Sequence, residues 1–188
     1  INLVGGTEDE CGITSNDVSG TWDNDAGANR LQNLPTLTAA YTDGATFLTV
    51  QGQLQTLNGT YRIHFYASAA ADASMYGEGT TYLGYADVLV NGGPGYGTGV
   101  INTTFNPVVI PIGARISATA TDPNGNTSEF SNARATQTLQ TISGTVYDDD
   151  EGDGAVAGDG GFVGATVKLY LDDGDNTPDG GDTLVATA

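Results

Sequence analysis

Basic residues, cysteine and histidine are scarce in this chain. The 188 residues include 5 Lys and Arg in total and 23 Asp and Glu, which gives a formal net charge of −18. A surface of that sign repels phosphate groups and anionic lipids, and no apolar run approaches the length of a membrane span. We therefore expect neither nucleic-acid binding nor membrane insertion. The single cysteine, Cys11, excludes a disulfide within the chain and lacks the partners that a zinc or redox site requires.

Residues suited to catalysis are equally sparse. The only histidine, His64, alternates onto the polar face of a predicted strand, where an exposed imidazole is expected rather than a general base. A phosphate-binding glycine loop needs a strand followed by a helix, and the sequence predicts no helix. These features predict a protein that is not an enzyme.

Apolar residues recur with a period of two along most of the chain, which predicts β-strands. In residues 60–68, for example, the inward-facing set is Tyr61, Ile63, Phe65 and Ala67. Turn residues rich in Gly, Asn and Asp separate the predicted strands, which cover residues 46–55, 60–68, 81–90, 98–105, 114–121 and 128–136. About seven short strands of this kind predict an all-β fold, an antiparallel, immunoglobulin-like β-sandwich.

The composition changes after residue 136, which indicates a second domain. We predict an extended amino-terminal segment over residues 1–33, the sandwich over 34–136, and a smaller β-domain over 137–188. The last domain holds only three predicted strands, residues 142–147, 162–171 and 183–188, which are too few for an independent core. We therefore interpret it as an incomplete second sandwich that needs metal, or strands from further residues or another chain.

Acidic residues crowd this second domain. Eleven of them lie between Asp148 and Asp182, where Lys168 is the only base. The first acidic loop places carboxylates at Asp149, Glu151 and Asp153, followed directly by a glycine. Alternating carboxylates with a following glycine let a tight loop wrap a hard cation, so we predict a calcium site here. The alternative is a solvated acidic turn.

A second acidic loop repeats the pattern. Oxygen-bearing side chains recur every second residue, and one more carboxylate follows that could close the shell: Asp173, Asp175, Thr177, Asp179 and Asp182. Calcium suits such a cage better than magnesium, which keeps more of its waters. Loops rich in Asp and Gly also occur simply as soluble turns, and this alternative stays open.

Two further sets of polar side chains are weaker candidates for cation binding. We interpret both as turns in which side chains bond to their own backbone; they are Asp122, Asn124, Asn126 and Glu129, and Asp23, Asp25 and Asn29. Six tyrosines could form a platform that stacks on sugar rings, although cross-strand packing is the more ordinary role of aromatic residues in sheets: Tyr61, Tyr66, Tyr76, Tyr82, Tyr85 and Tyr96.

Longer strings of residues resemble parts of large bacterial and archaeal surface proteins. Residues 1–6, 14–17 and 25–35 resemble the last rung of a right-handed parallel β-helix and its exit. Stretches similar to residues 61–67, 76–79 and 119–131 occur in the β-sandwich that follows that rung in the family. The resemblance implies an Ig-like sandwich attached to a surface-exposed protein.

Residues 144–188 resemble the start of a different module, the prealbumin-like, calcium-binding domain of the serine-aspartate-repeat adhesin B type. By this resemblance Asp149, Glu151 and Asp153 match calcium ligands, and Asp159 matches a later acidic ligand. A helix-loop-helix calcium loop would instead require glutamate where Gly160 stands, so the match to that loop type is partial.

Together these features predict an extracellular or cell-surface structural and adhesive protein stiffened by calcium. The missing strands of the second sandwich could be supplied by another copy of the chain, with residues 1–4 as the candidate donor. Such donor-strand exchange would build a filament. The alternative function is a non-catalytic carbohydrate-binding accessory region of an exported enzyme, whose tyrosines bind surface glycans.

Overall fold

The structure is a computed structural model that describes residues 3, 8–10, 12–17, 26–71, 73–138, 144–149, 152, 154, 160–171 and 183–187. The chain divides into two units, Ile1–Gln140 and Thr141–Ala188. Within the described ranges the only helical feature is one turn of 3-10 hydrogen bonding, Ala28–Leu31. No helix in these ranges has the length and hydropathy that a membrane crossing requires.

The first unit is a sandwich of two antiparallel sheets. Its strands are β1 Thr36–Thr42, β2 Leu48–Leu57, β3 Gly59–Ser68, β4 Thr81–Val90, β5 Tyr96–Phe105, β6 Arg115–Thr121 and β7 Arg134–Ala135. One sheet has the order β1-β2-β5 and the other β4-β3-β6-β7. The chain therefore changes sheet between β2 and β3, between β4 and β5, and again before β6, as in immunoglobulin-like sandwiches. The predicted all-β, antiparallel sandwich is confirmed.

The core follows directly from the period-two pattern. Tyr61, Ile63, Phe65 and Ala67 of β3 are buried, and Leu48, Val50 and Leu54 of the opposite sheet complete the same cluster. The inward-facing set predicted for β3 is confirmed by this burial. Burial of each large apolar side chain contributes roughly 1.5–3 kcal/mol to stability.

Two elements of the first unit differ from the prediction. The strand predicted at residues 128–136 is wrong except for β7, because Ser128 and Ser131 use their hydroxyl oxygens to accept from the N–H groups of Ala120 and Ala118, both at 2.9 Å. Side chains thus replace part of the backbone ladder, and the segment is irregular. Strand β1 was not predicted, since its Thr and Ala residues give weak alternation.

Among its described residues the second unit contains one two-stranded antiparallel sheet, formed by β8 Lys168–Leu171 and β9 Thr183–Thr187. The strand predicted at residues 162–171 is therefore wrong before Lys168, where residues 163 and 164 form a turn. A second pairing joins residues 146–148 to 160–162, where Phe162 N donates to Val146 O at 2.7 Å. None of residues 144–149, 152, 154 and 160–169 is buried. This part of the unit therefore has no packed core.

Candidate functional site

The first acidic loop is closed by hydrogen bonds in the second unit. Asp148 N donates to Gly160 O at 3.1 Å, so the residues on either side of the loop are paired. The Asp149 Oδ2 atom accepts a hydrogen bond from the N–H of Gly154 at 3.2 Å, which links two described residues of the loop. Closure of this kind is what a cation site in a single loop needs, because its ligands must converge from different positions.

Only one of the predicted calcium ligands can be placed. Asp149 is exposed at the start of the closed loop. The other predicted ligands lie outside the described residues: Glu151, Asp153, Asp159, Asp173, Asp175, Asp179 and Asp182. Among the described residues no group of three or more His, Cys, Asp or Glu side chains could hold a metal ion. The donors of the first loop are all carboxylate oxygens, and this hard donor set fits calcium.

The turn after β6 holds its carboxylate by hydrogen bonds. Asp122 accepts from the backbone N–H groups of Asn124 and Asn126, both at 2.8 Å, and from both side-chain amides at 3.2 and 2.8 Å. The interpretation of this turn as bonded to itself is confirmed for these three residues. Desolvation by partial burial raises the pKa of Asp122, but the hydrogen bonds from Asn126 and Asn124 outweigh it and lower the pKa below its ordinary value of 3.8.

This turn makes the stability of the first unit depend on acid pH. Because the pKa of Asp122 is lower in the folded chain, its contribution is complete above the unfolded value of about 3.9 and is lost as the pH falls through the folded value. Asp122→Asn should therefore flatten the fall in unfolding free energy that urea titrations record between about pH 5 and pH 2. Equal slopes in the variant and the parent would contradict this role.

Glu129 has a different place from the one predicted. It is not a member of the Asp122 turn, because its side chain is only 1% exposed and points towards the amino-terminal segment. Its carboxylate accepts from Leu3 N at 2.6 Å and from Thr14 N at 2.8 Å, with Thr14 Oγ1 at 3.5 Å. Glu129 therefore anchors the amino-terminal segment to the sandwich. A glutamate between Ser128 and Phe130 gives no sequence signal for this role.

The predicted tyrosine platform exists only in part. Tyr61 is buried in the core, whereas Tyr82 and Tyr85 contact His64 on the outer face of β3 and β4, and Tyr66 contacts Tyr82. His64 is partly buried rather than fully exposed, and its ring centre lies 5.7 Å from that of Tyr82 and 6.0 Å from that of Tyr85. Burial, together with the positive charge of Arg62, lowers the pKa of His64.

The chain matches no protein-family model, no curated protein and no solved structure. The resemblances to a β-helix exit and to a calcium-binding domain of the adhesin B type therefore stay predictions.

Proposed function

We propose that the chain is a structural and adhesive module of an extracellular or cell-surface protein, and that calcium stiffens its second unit. The observation that carries the proposal is the closed first acidic loop, in which Asp148 bonds to Gly160 and Asp149 folds back onto Gly154. A loop that is paired at its base limits how far its carboxylates can move apart to reduce their repulsion. A divalent cation would relieve that repulsion.

The free energy that calcium binding can add is large for a unit whose described residues show no packed core. A ligand present at a hundredfold its dissociation constant stabilises the folded state by about 2.7 kcal/mol per site. A two-stranded sheet such as β8-β9 is marginal by itself, and none of residues 144–149, 152, 154 and 160–169 is buried. Calcium would therefore decide whether the second unit is rigid.

We also propose that copies of the chain associate through the second unit. A two-stranded sheet such as β8-β9 is marginal by itself in water, and each of its outer edges can accept a further strand. Apolar side chains in and directly before β8 are exposed, with Val167 at 48% and Leu169 at 39%. A strand from a second copy would cover such side chains and extend the sheet into a filament.

Calcium should raise the melting temperature of the second unit. For the full chain at millimolar calcium we expect that transition to lie at least about 5 °C above its position in chelator, since about 1 kcal/mol shifts a small domain by roughly 4–8 °C. Calorimetry with and without calcium measures the shift. Asp149→Asn should reduce it, because it removes the negative charge of a proposed calcium ligand while an amide oxygen can still accept from Gly154 N.

Glu10→Gln is the matched control, because it removes one exposed carboxylate from the first unit and should leave the calcium shift unchanged. Electron microscopy of the same samples reads out association, and calcium-dependent filaments would support it. A melting profile that is indifferent to calcium, together with monomers under all conditions, would contradict the proposed function.

A further inference from the structure

An irregularity in β4 gathers aromatic side chains on one face of the first unit. Tyr82 and Tyr85 are three residues apart, so a regular strand would point them to opposite faces. The register between β3 and β4 shifts after Phe65, so that Tyr85 pairs with His64 and Tyr82 pairs with Tyr66. Both tyrosines therefore share the outer face, where Tyr82 is 55% exposed and Tyr85 is 52% exposed.

Gly84 makes this bulge possible. Its φ of +139° is one that side-chain-bearing residues rarely adopt, and an added Cβ would lie 2.9 Å from Cε1 of Phe105. Bulges re-aim side chains and are frequent beside functional sites. Without the bulge only one of the two rings would lie on this face.

The exposed rings are held in place by their neighbours. Ring contacts run without a break from Phe130 to Tyr66 at 5.3 Å, to Tyr82 at 5.6 Å, and through His64 to Tyr85. The guanidinium of Arg62 lies 4.2 Å from the centre of the Tyr85 ring. Side chains fixed in this way lose little further entropy when a ligand binds.

An ion pair between Arg62 and Asp87 lies at the end of this row of rings. Arg62 Nε and Nη2 donate to the two carboxylate oxygens of Asp87 at 2.9 and 3.2 Å, and both side chains are about half exposed. The pair leaves further N–H donors and carboxylate lone pairs available to solvent. The face thus combines apolar ring surface with hydrogen-bonding groups fixed beside it.

We propose that this face, Tyr66, Tyr82, Tyr85, His64, Arg62 and Asp87, binds neutral polysaccharide. A sugar ring has an apolar C–H face that stacks on an aromatic ring and hydroxyls at its rim that pair with groups such as Arg62 and Asp87. The net charge of −18 disfavours anionic polymers, and Arg62 is already neutralised by Asp87. This inference is independent of calcium and of the second unit.

The size of the face favours a glycan over a protein partner. Tyrosine presents roughly 150–250 Å², so two half-exposed rings offer roughly 200 Å². A stable protein interface needs about 800 Å² from each partner, whereas one or two sugar rings fit the smaller area.

Affinity electrophoresis of the full chain in gels that contain hydroxyethylcellulose, mannan or xyloglucan tests the proposal. We expect at least one of these neutral polymers to retard the protein, and Tyr82→Ala and Tyr85→Ala each to weaken that binding tenfold or more. Tyr147→Ala, which removes a tyrosine that is 43% exposed in the second unit, is the matched control and should bind as the parent does.

Three outcomes would overturn the proposal. The first is that none of the three polymers retards the protein. The second is that Tyr82→Ala and Tyr85→Ala are both retarded as strongly as the parent. The third is that alginate, an anionic polysaccharide, retards the protein more strongly than the neutral polymers do. Circular dichroism melting of each variant shows that a loss of binding is not a loss of folding. Gly84→Ala is an independent test of the bulge. If this variant folds but no longer holds Tyr82 and Tyr85 on one face, it should also lose binding.

Discussion

Replacing Glu129 with alanine is expected to lower the free energy of unfolding of the first unit by about 3 kcal/mol or more. The backbone amides of Leu3 and Thr14 each lose a bond to a charged acceptor, and such bonds contribute about 1.5–3 kcal/mol apiece. The change also leaves a cavity where a fully buried side chain stood. Release of the amino-terminal segment into water would recover part of the loss.

Urea unfolding measures this change, and hydrogen exchange locates it. In Glu129→Ala the amides of Leu3 and Thr14 should exchange far faster than in the parent, while the core amides of β3 keep most of their protection. Glu78→Ala, which truncates an exposed glutamate of the same unit, should change stability by less than about 0.5 kcal/mol. Unchanged exchange at Leu3 and Thr14 would show that Glu129 is not the anchor.

Glu129 also shows where sequence reasoning about this fold reaches its limit. Period-two alternation predicted β3 and its buried side chains, because successive residues of a strand point to opposite faces of the sheet. The role of Glu129 depends on residues more than 100 positions away, so no local pattern contains it. The irregular segment at 128–133 was missed for a related reason, since serine hydroxyls there replace backbone acceptors.

The aromatic face was half predictable. The six tyrosines were visible in the sequence, but period two alone places Tyr82 and Tyr85 on opposite faces of β4. The glycine between them, Gly84, was the available signal, since a lone glycine within a strand often marks a bulge. For the first acidic loop, residue spacing predicts Asp149, Glu151 and Asp153 as calcium ligands, and the structure adds the hydrogen bond between Asp148 and Gly160.

Gly77→Ala is the second change with a large expected effect, about 3 kcal/mol of lost stability. The segment that contains Gly77 crosses the outer face of β6, where Gly77 N donates to Ser131 O at 2.9 Å and Ser117 is buried beneath it. An added Cβ would lie 1.8 Å from Cβ and 2.2 Å from Oγ of Ser117, whereas carbon atoms pack at about 3.5–4.0 Å. Either the segment moves off β6 or the strand shifts.

A double-mutant cycle separates this overlap from a general weakness of the segment. In Gly77→Ala/Ser117→Gly the nearest Ser117 atom left is the Cα at 3.3 Å, which is tight but tolerable. Ser117→Gly alone should cost about 1 kcal/mol, as glycine does within a strand. The double variant should be more stable than the sum of the single changes by at least about 1 kcal/mol. Additive losses would contradict the close approach, because the two side chains would then destabilise the unit independently. Gly77 does not occupy the left-handed region of φ, so alanine is conformationally allowed there and the cycle reports the steric overlap alone.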